Sequence, residues 1–436
     1  MAEIKSFIRD TNEAFRQQSK DAVCELIMLE EGNPRLDKLH QELYNMTVES
    51  IRTMVQNELS KSPRPLKDFV SNFLIFTIHS ALDTSALPEV YELLSSCYGS
   101  FLSLYVAQDA QWLTPLLMNL SYSLVDWAIL ADKENPDAKE LKISDAAAKH
   151  LSRAFNMVIS DKTTNSLEDS KKVALYYLAN LTFRVYFKLH STRLMPTMLA
   201  NISKADVRLS DFPMSQQVTH RYYLGRYYLY QLDLRQAEKE LSFAFRNCPD
   251  PNQDEGENEV IYQNGRLILT YLTACRLCLG RIPHIQLLRM YDLEFCFTPL
   301  VTAVGRGDLR LLRQTLNAPD LMSWLVKKEI YFLLKEKLEV LCWRSLIRRV
   351  CIVSRGPTDP PQTRVSLGIL LDIVRALLMD NTYDIWDIES ITASLLDQGY
   401  IKGYIHSQKK ILVLGKTNPF PIVYSVEVIE DVVQIE

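Results

Sequence analysis

Glycine is scarce in this chain, at 13 of 436 residues or about 3%, where average usage is about 7%. Glycine supplies the positive-φ positions that tight turns, bulges and phosphate-cradling loops require. Its scarcity disfavours a β-sandwich or a doubly wound nucleotide-binding sheet and leaves long helices with few turns. The catalytic signatures are missing as well. There is no His-Glu-x-x-His, no Gly-x-Ser-x-Gly elbow, no Walker loop and no dinucleotide fingerprint. Gly305-Arg306-Gly307 reads as a helix–helix turn. The chain is therefore expected not to be an enzyme and to need no cofactor.

Eight cysteines in a chain this long are no disulfide framework, and the opening residues, Met1-Ala2-Glu3-Ile4-Lys5, are charged at once. The most apolar stretch near the front, Phe69 to Leu82, carries Ser71, Asn72, Thr77, His79 and Ser80 and is too short to span a bilayer. The expectation is an intracellular, reducing setting with no membrane partner. With a formal charge of −4, any nucleic-acid contact must be a local patch.

What is present is helical periodicity. Leu36, Leu39, Leu43, Met46, Ile51, Met54 and Val55 mark one amphipathic run, and further helices are expected near 66–82, 88–107, 112–131, 143–159 and 167–190. Consecutive helices with short links fold as antiparallel hairpins, and many hairpins in a row make a solenoid. Residues 218–250 sharpen this into a partial tetratricopeptide pattern. Leu224-Gly225 and Tyr228 lie on a first helix, Asp233-Leu234 makes the turn, and Ala237, Leu241 and Ala244 face inward from the second. Gly307-Asp308-Leu309 with Leu312 and Leu316 repeats the turn and its offsets. The tyrosines at 222, 223, 227, 228 and 230 could stack bases, but at helical spacing they read as hairpin core. Cys275, Cys278, His284 and Cys296 are metal-ligand types, yet the Cys pair lies in a helical run and reads as packing.

Beyond the polar loops at 249–259 and 354–363 the pattern changes. An apolar helix from Val365 to Leu378, ended by Asn381, is followed by a second helix with Trp386, Ile388, Ile391, Leu395 and Leu396, closed by Gly399. Residues 400–406 and 410–414 then read as two strands. Helix, helix, strand, turn, strand is the winged-helix order. The fold class is all-α: a tetratricopeptide-like hairpin solenoid followed by a C-terminal winged helix. The expected divisions are N-terminal helical repeats at 1–205, further repeats at 206–353, the winged helix at 354–418 and a tail at 419–436. The tail alternates Val426, Val428, Val432 and Ile435 with acidic residues, and adds a strand to a partner or stays disordered.

Helical hairpins running into a winged helix resemble the PCI domain of proteasome-lid, signalosome and translation-initiation scaffolds. Tyr222-Tyr223-Leu224-Gly225-Arg226-Tyr227-Tyr228 with 237–245, and Gly399-Tyr400-Ile401-Lys402-Gly403-Tyr404-Ile405 with Lys416-Thr417-Asn418-Pro419-Phe420-Pro421, resemble one branch of it. That branch joins PCI-domain-containing protein two, the yeast export protein Thp and signalosome subunit twelve-like proteins. The resemblance implies a scaffold subunit of a nuclear, transcription-coupled mRNA-export complex of the TREX kind, extending to the nuclear pore and cytoplasm. It implies pairing with a larger PCI-type scaffold subunit and a small acidic Sem/Dss-type protein, and an RNA or DNA surface on the paired winged helices. The alternative is a signalosome- or initiation-factor-like assembly subunit with no nucleic-acid contact.

Charge placement refines the nucleic-acid expectation. Residues 401–418 hold Lys402, Lys409, Lys410 and Lys416 and no acid, whereas 384–398 hold Asp384, Asp387, Glu389 and Asp397 and no base. An acidic helix cannot approach the phosphates that line a groove, so the wing is expected to make any backbone contact. Arg344, Arg348, Arg349, Arg355 and Arg364 are expected to extend it. Asp387 and Glu389 are expected to face a basic partner.

Overall fold

The apolar repeats form helices at nearly every place their period marks, and their short links turn successive helices back on one another. A computed structural model describes residues 2–27, 29, 34–43, 46–80, 87–107, 109–134, 142–162, 166–249, 258–354 and 363–426. The chain divides into two compact units, Met1–Tyr223 and Leu224–Glu436.

In the first unit the helices are α1 (Ala2–Gln17), α2 (Lys20–Ile27), α3 (Pro34–Leu43), α4 (Val48–Glu58), α5 (Arg64–Ser80), α6 (Leu87–Tyr105), α7 (Thr114–Glu134), α8 (Lys142–Ile159), α9 (Leu175–Lys188) and α10 (Met195–Ser203). The boundary between the units falls inside α11 (Met214–Tyr230). Neighbours α5 and α6, α6 and α7, and α8 and α9 pack pairwise. Phe7, Phe69, Phe73, Phe101 and Tyr105 fill the core, with Phe7 stacked on Phe73 at 5.8 Å between ring centroids. Among the described residues, the segment Gln111–Glu134 is long and apolar enough to cross a membrane. Over half of its apolar window is buried, as in a core helix.

The helix expected over 167–190 begins only at Leu175. Before it, Ser170 caps a 3₁₀ turn, Lys171–Ala174. The buried Lys171 ammonium donates to the Tyr105 and Ala107 carbonyls at 2.8 and 2.6 Å. A cation on the open carbonyls of a helix end is favourable, and the 3₁₀ turn holds Lys171 at that end of α6.

The second unit continues with α12 (Leu234–Asn247), α13 (Asn258–Cys278), α14 (Ile285–Met290), α15 (Glu294–Arg306), α16 (Leu309–Leu316), α17 (Pro319–Lys327) and α18 (Tyr331–Val353). Both turns seen in the repeat pattern are caps of the same design. The Asp233 carboxylate accepts from the Gln236 N–H at 3.1 Å, and Asp308 accepts from Leu311 at 2.9 Å. Ala237, Leu241, Ala244, Leu312 and Leu316 are buried. Gly225 lies where a Cβ would overlap the Leu241 side chain. Gly307 adopts φ +66°, and a Cβ there would overlap the Leu346 backbone of α18. Of the tyrosine cluster, Tyr222 is core and Tyr230 is exposed. Cys275, Cys278 and Cys296 are buried, and the Cys275 thiol donates to the Leu234 carbonyl at 3.0 Å.

The winged helix follows as β1 (Arg364–Ser366), α19 (Leu367–Leu378), α20 (Ile385–Asp397), β2 (Gly403–His406) and β3 (Ile411–Leu414). The sheet is antiparallel in the order β1-β3-β2. Val365, expected in the helix, is therefore in a third strand too short to show alternation. The helix end expected at Asn381 lies at Met379, which takes the left-handed conformation at φ 54°.

Gly307→Ala is expected to destabilise the fold by roughly 2 kcal/mol or more, because it combines a left-handed backbone with overlap. Gly305→Ala, with open space around it in α15, is expected to be neutral or to stabilise by about 0.5 kcal/mol. Thermal unfolding of the two variants checks this, and similar behaviour would contradict the close crossing.

Candidate nucleic-acid interface on the winged helix

Strand alternation decides which side chains the wing presents. Leu412 and Leu414 are buried on the face toward the helices, and Ile405 is registered opposite Leu412. The other face carries Tyr404 opposite Val413, His406 opposite Ile411, and Arg364 also opposite Val413. The ladder continues past β2, since the Gly415 N–H donates to the Lys402 carbonyl at 2.7 Å. A Cβ placed on Gly415 would lie 3.6 Å from that of Lys402. Lys402, Tyr404 and His406 thus follow one another along the outer face of β2. Tyr404 is 61% exposed, and Arg364 and Lys402 are exposed.

The turn between β2 and β3 places its two lysines differently. Lys409 is exposed. Lys410, at φ 50°, turns back onto α20: its ammonium meets the Glu389 carboxylate at 2.5 Å and lies 3.3 Å from the Trp386 ring centroid. Hydrogen bonds from Lys410 and then Ser407 hold the Glu389 carboxyl below the usual carboxylate range. Asp387 also has an internal role. It accepts from the Asp384 N–H at 2.8 Å, while Asp384 accepts from the Trp386 and Asp387 N–H groups, closing a capping box. Both acidic residues expected to face a partner thus have contacts within the module, and Lys410 is a structural cation of the wing.

The basic residues before the sheet do not form one surface. Arg344 is 9% exposed and donates to the Pro421 carbonyl at 2.6 Å, with its guanidinium 5.9 Å from the Phe420 ring centroid. This corrects its place in the expected patch, because a buried guanidinium cannot reach a phosphate. Arg348 and Arg349 are exposed, and Arg349 donates to the Arg306 carbonyl at 3.1 Å. Arg355 lies outside the described residues. Lys416 is exposed beyond β3.

The segment after the wing straps the module to the hairpins. The Lys402 N–H donates to the Pro419 carbonyl at 2.8 Å. Further on, Arg281 lies 3.7 Å from the Tyr424 ring centroid, and Arg235 donates to the Tyr424 and Val426 carbonyls at 3.2 and 3.3 Å. Residues 422–426, expected in the tail, belong to this strap, and the tail from Glu427 onward lies outside the described residues. Sequence reasoning missed Trp386 and Tyr404 as exposed aromatics, 63% and 61% accessible. Tyr404 was legible as an outward position once strand parity was set, whereas Trp386 was hidden within an amphipathic helix. Among the described residues no group of three His, Cys, Asp or Glu is placed to hold a metal.

No family model matches the chain. It is 31% identical over 428 residues to a PCI domain-containing protein of Schizosaccharomyces pombe, covering 96% of this chain and 94% of that protein. It is 32% identical over 337 residues to PCI domain-containing protein 2 of Xenopus laevis, covering 76% and 79%. It is 27% identical over 404 residues to Protein CSN12 homolog of Mycosarcoma maydis, covering 88% and 85%.

Lys410→Glu sets a second carboxylate against Glu389 and takes the cation off Trp386, so it is expected to lower the unfolding temperature, whereas Lys409→Glu leaves it unchanged. The Lys410–Glu389 contribution is present at neutral pH and is lost as pH falls through the depressed Glu389 pKa, below the ordinary glutamate range. Thermal scans across pH check both statements, and equal behaviour of the two variants would contradict them.

Proposed function

By its likeness to the fission-yeast and frog proteins the chain belongs to the PCI domain family, and from that premise we propose that it is a non-catalytic scaffold subunit of a nuclear, transcription-coupled mRNA-export complex of the TREX kind. In this reading it pairs through its winged helix with a larger PCI-type scaffold subunit, holds a small acidic Sem/Dss-type protein on its hairpins, and contributes to an RNA- or DNA-binding surface. The observation that carries the reading is the strap. By fastening the wing at Lys402 and the hairpins at Arg235 and Arg281, it presents the two surfaces of this unit in a fixed relation, as a scaffold requires.

The hairpins also carry a groove suited to the small acidic partner. A cavity of about 300 Å³ is lined by Arg226, Tyr230, Leu232, Tyr271, Lys328 and Phe332, among others. Phe332 is 71% exposed. Burial first, and then the neighbouring Arg266, Arg226 and Lys327, push the Lys328 pKa down. Glu329 and Glu336 line the cavity too, and Arg226 is paired to Glu329 at 3.0 Å, so Lys328 and the exposed Phe332 ring are what it offers a ligand with carboxylates and hydrophobic anchors. A second reading, a signalosome-like assembly subunit without nucleic-acid contact, is supported by the likeness to the Mycosarcoma protein.

Affinity purification with mass spectrometry separates the two readings. The first expects a larger PCI subunit and a small acidic protein, and recovery of an eight-subunit lid-type assembly would overturn it. Lys327→Glu combined with Lys328→Glu is expected to release the small acidic protein while the larger subunit stays bound.

A further inference from the structure

We infer that the outer face of the wing sheet is a platform for single-stranded nucleic acid, on which a base stacks against Tyr404 while Arg364 and Lys402 meet the flanking phosphates. This rests on the nucleic-acid part of the reading above and names its ligand. Three observations carry it. The strand register places Lys402, Tyr404 and His406 in succession on one face of β2, with Arg364 on the same face of β1 across Val413. Tyr404 is 61% exposed although it lies in a strand, so its ring faces solvent. No acidic residue occurs anywhere in 401–418, and Glu389, which the wing does touch, is neutralised by Lys410.

The choice of single strands over duplex follows from the same face. In a duplex the bases are stacked inside and present only their edges, which a helix must enter a groove to reach. The helix in that position, α20 with its N-cap, carries Asp384, Asp387 and Asp397 besides the paired Glu389, and no base between 384 and 398. Phosphates on both sides of a groove would repel it. An unpaired base has a free π-face and needs only an exposed ring with cations beside it. The wing sheet supplies that ring on a flat backbone whose side chains are held by the ladder. His406 continues the outer face at the far end of β2, opposite Ile411.

The test is fluorescence anisotropy with labelled oligouridylate, oligothymidylate and a blunt duplex, on the full chain and on its affinity-purified assembly. Tyr404→Ala is expected to weaken single-strand binding about tenfold, and Tyr404→Phe to restore it to within about twofold, since a phenyl ring still stacks. Arg364→Ala and Lys402→Ala are each expected to flatten the salt dependence by about one phosphate contact. Tyr404 is exposed, so unchanged thermal unfolding certifies the variant as folded. Tighter binding of duplex than of single strands would overturn the platform, as would an unaffected Tyr404→Ala. So would a Tyr404→Ala that releases the larger PCI subunit but keeps nucleic acid, which makes the face a protein interface. An assembly with the expected partners that binds no single strand sinks the platform alone. A different set of partners sinks the export reading, and the anisotropy of the full chain still judges the platform.

Discussion

The arrangement of the second unit depends on one buried carboxylate. Glu238 is 5% exposed on α12, and its Oε1 accepts from Arg281 at 2.7 Å and from Arg276 at 3.2 Å. A buried carboxylate is costly unless it is paired and hydrogen-bonded, and here two guanidiniums from the end of α13 and just beyond meet that need. Arg281 then lays its other side on Tyr424, and Arg276 also donates to the Ser242 hydroxyl. A single charged group thereby joins a hairpin helix, its neighbour and the strap that returns from the wing. Removing Arg281 would leave part of the Glu238 charge unmet and free the ring that anchors the strap. The second anchor, Arg344 on the Pro421 carbonyl, lies on α18, where burial holds its pKa down and a carbonyl takes the place of a counter-ion.

The same economy of pairing explains how charge is sorted on the winged helix. The acids of α20 are occupied where they meet the rest of the module. Asp384 and Asp387 satisfy the open N–H groups of the helix start, and Glu389 holds Lys410. Lys410 in turn covers one face of Trp386, a contact in which the ring quadrupole and the carboxylate act on one ammonium. The wing tip is thus fastened to α20, which fixes the turn and keeps β2 and β3 in register. Among the described residues, Arg364 and Lys402 are exposed on the outer side of the sheet, and Lys409 is exposed at the turn.

Much of this fold was legible from residues alone, because its signals are local. Asp233 and Asp308 each sit three residues before the N–H they cap, and Gly225 and Gly307 sit where two helices approach within a side chain's width. Such features need only a short window of sequence. What escaped was non-local or too brief. Strand β1 is three residues long, below the length at which alternation can be seen, and its partner β3 lies nearly fifty residues later in the chain. The buried Lys171 ends α6 from more than sixty residues away. Counting lysines between 401 and 418 gave the right sign for the surface but could not distinguish Lys410, turned inward, from Lys409. Counting arginines failed at Arg344 for the same reason, since burial is a property of the packed unit.

Net charge therefore says little about where this chain can meet an anion. The total of −4 includes acids committed to caps and ion pairs, such as Asp233, Asp308, Glu238 and Glu389, whose fields are largely cancelled by their own partners. The cations of the hairpin groove are a different case. Arg226 and Lys328 line it beside Glu329 and Glu336, with Arg226 paired to Glu329 at 3.0 Å, and burial first, then Arg266, Arg226 and Lys327, push the Lys328 pKa down. On the wing, Lys402 stands two residues along the chain from Tyr404, and Arg364 stands across β3 from it, both Arg364 and Tyr404 being opposite Val413. A half-buried lysine beside an exposed ring suits a ligand with a carboxylate and an apolar anchor. Cations set on two sides of an exposed ring suit a polymer whose charges and rings alternate along its length. The two surfaces of this unit thus differ in the kind of anion they favour, and that difference arises from spacing and burial rather than from the number of charges.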